Sequence, residues 1–208
     1  MFPVNVPNIL TVMRIMLVPV LVVALLDETR HGDTIAAVVF ALAAFTDGLD
    51  GYIARSRKAI TTFGKVMDPI ADKLLITAAL VALVSLDRVA AWVAMVIIAR
   101  EFAVSSLRVA AAQQGAIIPA SILGKVKTVT QVAAVMALIA ANNSDAAWVQ
   151  ALVYAAVAAT VFSGIDYFLN VRREIDSARD ALHAQREART ASAETSRPSN
   201  SSREVPRT

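Results

Sequence analysis

Residues 47–72 read DGLDGYIARSRKAITTFGKVMDPIAD. Asp47, Asp50, Asp68 and Asp72 stand in this stretch, with Gly51 and Arg55 just after the first pair. The sequence on either side is almost wholly apolar. A carboxylate in an apolar run costs free energy unless a cation or a metal meets it. These acids therefore mark helix ends and, at the same time, the place to look for chemistry. Asp47 and Asp50 are three apart, and Asp68 and Asp72 four apart, so each pair shares one helix face. Gly51 lies on the face of Asp47 and leaves room for a ligand to approach the backbone. Two antiparallel helices joined by a loop of about a dozen residues would bring all four acids to one depth.

Outward from this stretch, the chain divides into apolar runs. It has 208 residues, 57% of them hydrophobic, and a mean hydropathy of +0.59. That excess over a soluble domain is gathered in long Ala, Val, Leu and Ile segments, which implies an all-α polytopic membrane protein. The spans fall near 9–26, 34–53, 66–86, 89–112, 125–141 and 146–171. At about 1.5 Å rise per residue each crosses a ~30 Å hydrocarbon core or nearly so. The first run is followed by others and reads as a retained span, not a cleaved leader. Turns at 27–33, 87–88 and 142–145 carry acids and only Arg30 and Arg88 as strong cations. The opposite connections carry Arg55, Arg57, Lys58, Lys65, Lys125 and Lys127, and Arg172 and Arg173 follow the last span. Six spans, both termini and the acidic stretch on the cytoplasmic side of the cell membrane satisfy the positive-inside rule. Residues 1–172 form the membrane domain. Residues 173–208 read as a charged tail, helical at first by its Glu and Arg spacing and disordered beyond.

The composition excludes several chemistries. The chain has no Cys, so disulfides, thiol nucleophiles and Cys-ligated zinc are ruled out. The two histidines, His31 and His183, fall in a turn and in the polar tail, away from any candidate site. The net charge of +3 suits anionic lipid headgroups better than nucleic acid. Four ionised carboxylates close together repel. At an effective dielectric near 20, two charges 4 Å apart cost about 4 kcal/mol. Oxygen-only donors select a hard cation, Mg²⁺, Mn²⁺ or Ca²⁺. Four acids suit two such ions, which can clamp both oxygens of a phosphoryl transfer, with Arg55 nearby for phosphate. A plain salt-bridge network with Arg55, Arg57, Lys58 and Lys73 is the structural alternative. A divalent-cation transporter would use the same acids, but it would place them at mid-bilayer between repeats, and no repeat is present.

The full pattern, D-x2-D-G-x2-A-R-x8-G-x3-D-x3-D, resembles the signature of the CDP-alcohol phosphatidyltransferases at every fixed position. The resemblance covers roughly residues 5–172. It implies a six-span enzyme that moves a phosphatidyl group from CDP-diacylglycerol to an alcohol and releases CMP. It also implies that Asp47, Asp50, Asp68 and Asp72 bind two Mg²⁺ ions and that Asp72 acts as general base. Asn8, Thr11, Arg14, Gly51, Arg55 and Thr61 would hold CDP-diacylglycerol. Relatives are homodimers, and the resemblance implies the same here.

Four further segments look most like the phosphatidylglycerophosphate synthases of that family: PNILTVMR at 7–14, FGKVMDPIADKLL at 63–75, REFAVSSLR at 100–108 and GKVKTVTQ at 124–131. The implied acceptor is sn-glycerol 3-phosphate. A phosphorylated acceptor needs its own cations. Arg100 and Arg108 are eight apart on one helix face, and Lys125 and Lys127 open the next span on the same membrane side. Glu101 is placed to hold one of the arginines, and the structural alternative for it is a bundle ion pair. Asp166, inside the sixth span, calls for a basic partner. Trp92, Trp148, Tyr154 and Tyr167 lie toward span ends and read as interfacial anchors. Same-family alternatives are a cardiolipin synthase using phosphatidylglycerol and a transferase using inositol phosphate.

Overall fold

The computed structural model describes residues 6–27, 31–57, 62–113, 122–141 and 143–195. Within them, the side chains of residues 6–8, 10, 47–57, 62–69, 72 and 175–195 lie outside the description. The described chain is all-helical. Its six helices are α1 (Val6–Leu26), α2 (Gly32–Arg57), α3 (Thr62–Ser85), α4 (Ala91–Gln113), α5 (Ile122–Ala140) and α6 (Ala147–Thr195). Each apolar run forms one helix, because every backbone N–H and C=O in such a run must be satisfied within the segment. Helix α1 packs against both α2 and α3, α5 against α2 and α6, and α4 against α6, with α3 touching α4 and α5.

Two lengths differ from expectation. Helix α2 continues to Arg57 and α3 begins at Thr62, so at most four residues, 58–61, separate them instead of a long basic loop. The charges at 55–57 extend the helix, since long basic side chains can reach polar surroundings while their backbone stays helical. Helix α6 runs 49 residues. It is about 70 Å long at 1.5 Å per residue, so it continues well past Arg172. Two described helices are long and apolar enough to cross a membrane, Ile122–Ala140 and Ala147–Glu174.

The core mixes alanine with large apolar side chains such as Phe40, Leu80 and Leu138. The core that joins all six helices is rich in alanine, including Ala24, Ala36, Ala43, Ala79, Ala82, Ala94, Ala134, Ala137 and Ala156. Small residues let helix backbones approach closely. The outward faces carry the large apolar side chains, with Val23, Met95, Val129 and Phe162 each about two-thirds exposed. The α1–α2 corner is tightest at Gly32, where a Cβ would lie 2.4 Å from the Asp27 carbonyl oxygen and 2.8 Å from that of Ala24. Only glycine fits so close an approach.

The corner after α3 is closed differently. Asp87 adopts a left-handed φ of 55°. Its N–H donates to the Val84 carbonyl at 3.0 Å, and the Arg88 N–H donates to that of Leu83 at 2.9 Å. This paired closure satisfies carbonyls that a helix end leaves open, with aspartate where glycine is usual. The turn aims Arg88 back across the bundle. Its guanidinium grips Asp33 of α2 with both nitrogens, at 2.8 and 2.9 Å, and Nη1 also reaches the Ile139 carbonyl at the end of α5 at 3.4 Å. One side chain thus ties three helices at the end opposite the acidic stretch.

Neighbouring substitutions in this turn should act in opposite directions. Asp87→Gly relieves the left-handed backbone and is expected to stabilise by up to about 1 kcal/mol. Arg88→Ala removes the two-pronged pair and is expected to cost about 1–2 kcal/mol, since Asp33 is partly exposed. Thermal unfolding of the detergent-purified protein would show a raised midpoint for the first and a lowered one for the second. Equal midpoints would contradict this account.

Candidate active site

The four acids lie where two helices approach their shared connection. Asp47 and Asp50, with Gly51 and Arg55, occupy the last turns of α2, and Asp68 and Asp72 the first turns of α3. Their side chains lie outside the described residues, and Thr61 does so entirely. Both helices pack on α1, whose first turns stand at the same end of the bundle. Asn8 opens α1, its side chain likewise undescribed. Thr11 and Arg14 are each 1% exposed, and each has an interaction partner. A fully buried guanidinium at the acidic end of an apolar bundle carries the charge expected of a site for phosphate.

Beside the acids the structure has a cavity of about 490 Å³. Its wall includes Ala44 of α2, Lys73 of α3, Glu101 of α4, and Lys127 and Gln131 of α5. Lys73 directly follows Asp72, and Ala44 stands one turn before Asp47. Lys127 and Gln131 lie on the buried face of α5, one turn apart. The Lys127 ammonium donates to Glu101 Oε1. Both side chains are largely buried, at 8% and 14% exposed. Glu101 is therefore held chiefly by Lys127, across helices, while Arg100 Nη1 stands 3.8 Å away from the same oxygen.

Arg100 is turned toward α6. Its Nη2 donates to Ser163 Oγ at 2.7 Å. Its stem lies over Gly164, where a Cβ would come within 3.3 Å of Arg100 Cγ. Two turns on, the Arg108 guanidinium sits 5.5 Å above the Tyr167 ring, a cation–π distance. The expected common face of Arg100 and Arg108 is thus realised, and it is the face toward α6. The two lysines are not brought together. Lys127 is buried and Lys125 exposed, because residues two apart on a helix point about 200° apart.

Other expectations divide. Trp92, Trp148 and Tyr154 are exposed, and Trp92 stacks on Tyr154 at 6.4 Å between centroids. Tyr167 is not an exposed anchor. It is 6% exposed and packs with Val104, Ala111 and Val171. The small Ala111 and Gly164 next to it let α4 and α6 close over the ring. Asp166 is half-buried and forms no ion pair among the described residues, so its expected basic partner is not found there. Ser163, Gly164 and Gln131 are the wall and support residues that a linear reading passes over, and Lys73, read there only as a salt-bridge partner, stands in the cavity wall. The periodicity of α5 would have found Gln131, four after Lys127.

No group of three or more metal-ligating side chains occurs among the described residues. Of the two histidines, His31 is exposed at the start of α2, the far end of the bundle, and the side chain of His183 lies outside the described residues. The candidate donors that remain there are carboxylates alone.

Comparison with known proteins gives a consistent result. A family model described as CDP-alcohol phosphatidyltransferase matches residues 4–162. A Bacillus subtilis protein named CDP-diacylglycerol–glycerol-3-phosphate 3-phosphatidyltransferase is 41% identical over 180 residues, covering 79% of this chain and 93% of that protein. A Rickettsia felis protein of the same name is 38% identical over 169 residues, covering 79% of this chain and 93% of its own length. A Mycobacterium tuberculosis protein named probable phosphatidylglycerophosphate synthase is 40% identical over 180 residues, covering 84% of this chain and 85% of its own.

The α4–α6 contact makes a prediction of its own. The Tyr167 hydroxyl is buried without a hydrogen-bond partner. Removing an unsatisfied buried hydroxyl relieves a desolvation cost of about 1–3 kcal/mol at most. Tyr167→Phe keeps the ring under Arg108 and is expected to leave stability equal or raised. Tyr167→Leu loses the ring and is expected to cost about 2 kcal/mol. Unfolding midpoints check the order. A Phe variant as unstable as the Leu variant would mean that the hydroxyl, not the ring, holds this contact.

Proposed function

The chain belongs to the CDP-alcohol phosphatidyltransferase family, and on that premise we propose that it transfers the phosphatidyl group of CDP-diacylglycerol to sn-glycerol 3-phosphate. The products are phosphatidylglycerophosphate and CMP. The observation that carries this reading is the complete acidic signature at the facing ends of α2 and α3, beside a cavity walled by Lys73, Glu101, Lys127 and Gln131. Relatives that carry the named activity align over most of the chain and support the choice of acceptor.

The reaction takes place at a membrane. Helices that carry many large apolar side chains on their outward faces, such as Val23, Met95, Val129 and Phe162, fit a hydrocarbon solvent. We read all six helices as spans, with both termini and the acidic end on the cytoplasmic side. The Lys and Arg residues near 55–58, 125–127 and 172–173 support that orientation. Assembly as a homodimer is part of the same proposal.

Asp47, Asp50, Asp68 and Asp72 would hold two magnesium ions, a choice that fits an oxygen-only donor set without Cys or nearby His. When bound, such ions neutralise the diphosphate of the donor. Thr11 and Arg14 on α1, with Gly51, Arg55 and Thr61, bind and orient that donor. Lys127, facing the cavity, meets the acceptor phosphate, with Arg108, Arg100 and Lys125 as the outer cations of this end. The acceptor's primary hydroxyl loses its proton to the Asp72 carboxylate as its oxygen bonds to the phosphatidyl phosphorus. The bond from that phosphorus to the bridging oxygen breaks, and CMP leaves with the electron pair. A carboxylate suits this task because a carboxyl group of ordinary pKa is ionised at neutral pH.

Purified protein with CDP-diacylglycerol, magnesium and glycerol 3-phosphate should release CMP, and a chelator should stop release until magnesium is restored. Release only with phosphatidylglycerol or inositol phosphate would move the acceptor but keep the reaction class. Asp72→Asn is expected to lower turnover at least about a hundredfold, the scale of a lost general base, while CDP-diacylglycerol still binds. Near-normal turnover in that variant would remove Asp72 from the base role.

A further inference from the structure

The polar side chains in the wall of the cavity beside the acids are Lys73, Glu101, Lys127, Thr128 and Gln131. The first four are engaged within the protein. Lys127 pairs with Glu101, Lys73 has a partner of its own, and Thr128 Oγ1 donates to the Gly124 carbonyl. Gln131 differs. It is 2% exposed, and its Oε1 is buried without a hydrogen-bond partner among the described residues. Thr128 and Thr130, on the same helix, bond back to carbonyls of their own turn, whereas the Gln131 amide does not. An unpaired buried amide costs free energy that an apolar side chain of similar size would not. The next wall residues of α5 are Val132, Ala133 and Met136, so apolar side chains are readily placed here. A polar group kept unpaired at such a place points to a partner that arrives with the ligand.

The chemistry of the amide selects that partner. It has no net charge with which to answer a phosphate. It carries one donor group and one acceptor, and a half-turn about its last side-chain bond exchanges them, so either can be turned to the cavity. A hydroxyl likewise donates and accepts. Gln131 stands on α5, which packs against α2 and α3, the helices that bear the acids, and Lys73 in the same wall directly follows Asp72. Glycerol 3-phosphate brings two hydroxyls to this place. The primary one reacts, and the secondary one, on the adjacent carbon, takes no part in the bond changes.

Resting on the reading that glycerol 3-phosphate is the acceptor, we infer that Gln131 determines specificity by hydrogen-bonding the acceptor's secondary hydroxyl. The site thereby selects an alcohol with a second hydroxyl beside the reacting one. A site built to hydrogen-bond a hydroxyl discriminates against an analogue that lacks it, because the buried polar group then stays unpaired.

The test compares glycerol 3-phosphate with 3-hydroxypropyl phosphate, which keeps the phosphate and the primary hydroxyl and lacks the secondary one. CMP release by the full-length protein gives kcat/KM for each. The wild type should prefer glycerol 3-phosphate at least about tenfold, the scale of one hydrogen bond. Gln131→Met, of similar length without the amide, should lose most of that preference. Its kcat/KM should fall about tenfold with glycerol 3-phosphate and stay within about twofold with the analogue. Its unfolding midpoint should be equal or raised, because an unpaired amide is removed. A wild type that uses both acceptors equally well would overturn this inference alone. So would a Gln131→Met variant that keeps the wild-type preference, loses both activities alike, or unfolds at a lower temperature, the last because the amide would then serve the bundle itself. A wild type inactive with glycerol 3-phosphate but active with another alcohol would overturn the acceptor reading and this inference with it.

Discussion

Charge inside an apolar bundle must be answered by other charge, and the way each one is answered divides this molecule into two ends. At one end the account is closed. Arg88 meets Asp33 with both nitrogens and adds the Ile139 carbonyl at the end of α5. An arginine there also complements the negative end of that helix. At the other end four acids, Asp47, Asp50, Asp68 and Asp72, and four basic residues, Arg55, Arg57, Lys58 and Lys65, share 26 residues. In the proposed function the acids of this end meet a hard cation and the bases meet phosphate.

The packing follows from the same constraint. A bundle in which cross-helix polar contacts must be short needs close backbones, and alanine and glycine at the interfaces provide them. Gly164 shows the link directly: its missing side chain is the space in which the Arg100 stem lies, and from there the guanidinium reaches Ser163. Gly32 does the same for the α1–α2 corner, where its missing side chain lets the start of α2 close on the end of α1. Large apolar side chains such as Phe40, Leu80 and Leu138 fill the space between these close contacts, and others cover the outside.

Much of this was legible in the linear sequence, for identifiable reasons. Helix positions followed from runs of apolar residues broken by clustered charge, and the turn at Asp87–Arg88 followed from its two charges alone. The acidic signature that marks the family was legible because its spacing is local. What was misread depends on contacts between distant residues or on how far a helix persists. Arg55 and Arg57 looked like loop residues, yet they stand on α2, since charge at a helix end does not terminate a helix when the side chains can reach polar surroundings. Tyr167 looked like an anchor because of its place near the end of a span, but Arg108 and the small residues beside it close over the ring. The partner of Glu101 is 26 residues away on another helix, which no local pattern announces.

The two arginines and two lysines near the second half of the chain make the last point. In sequence they form one basic group; in the fold they serve different neighbours. Arg100 and Arg108 face α6, where the first donates to Ser163 and the second lies over the Tyr167 ring. Lys125 is exposed and Lys127 is buried in the cavity wall. Of the four, Lys127 is the one whose surroundings combine enclosure with a cavity large enough for a small phosphorylated alcohol. In the proposed function, recognition of such an acceptor then rests less on the number of cations than on which of them the fold turns toward the cavity.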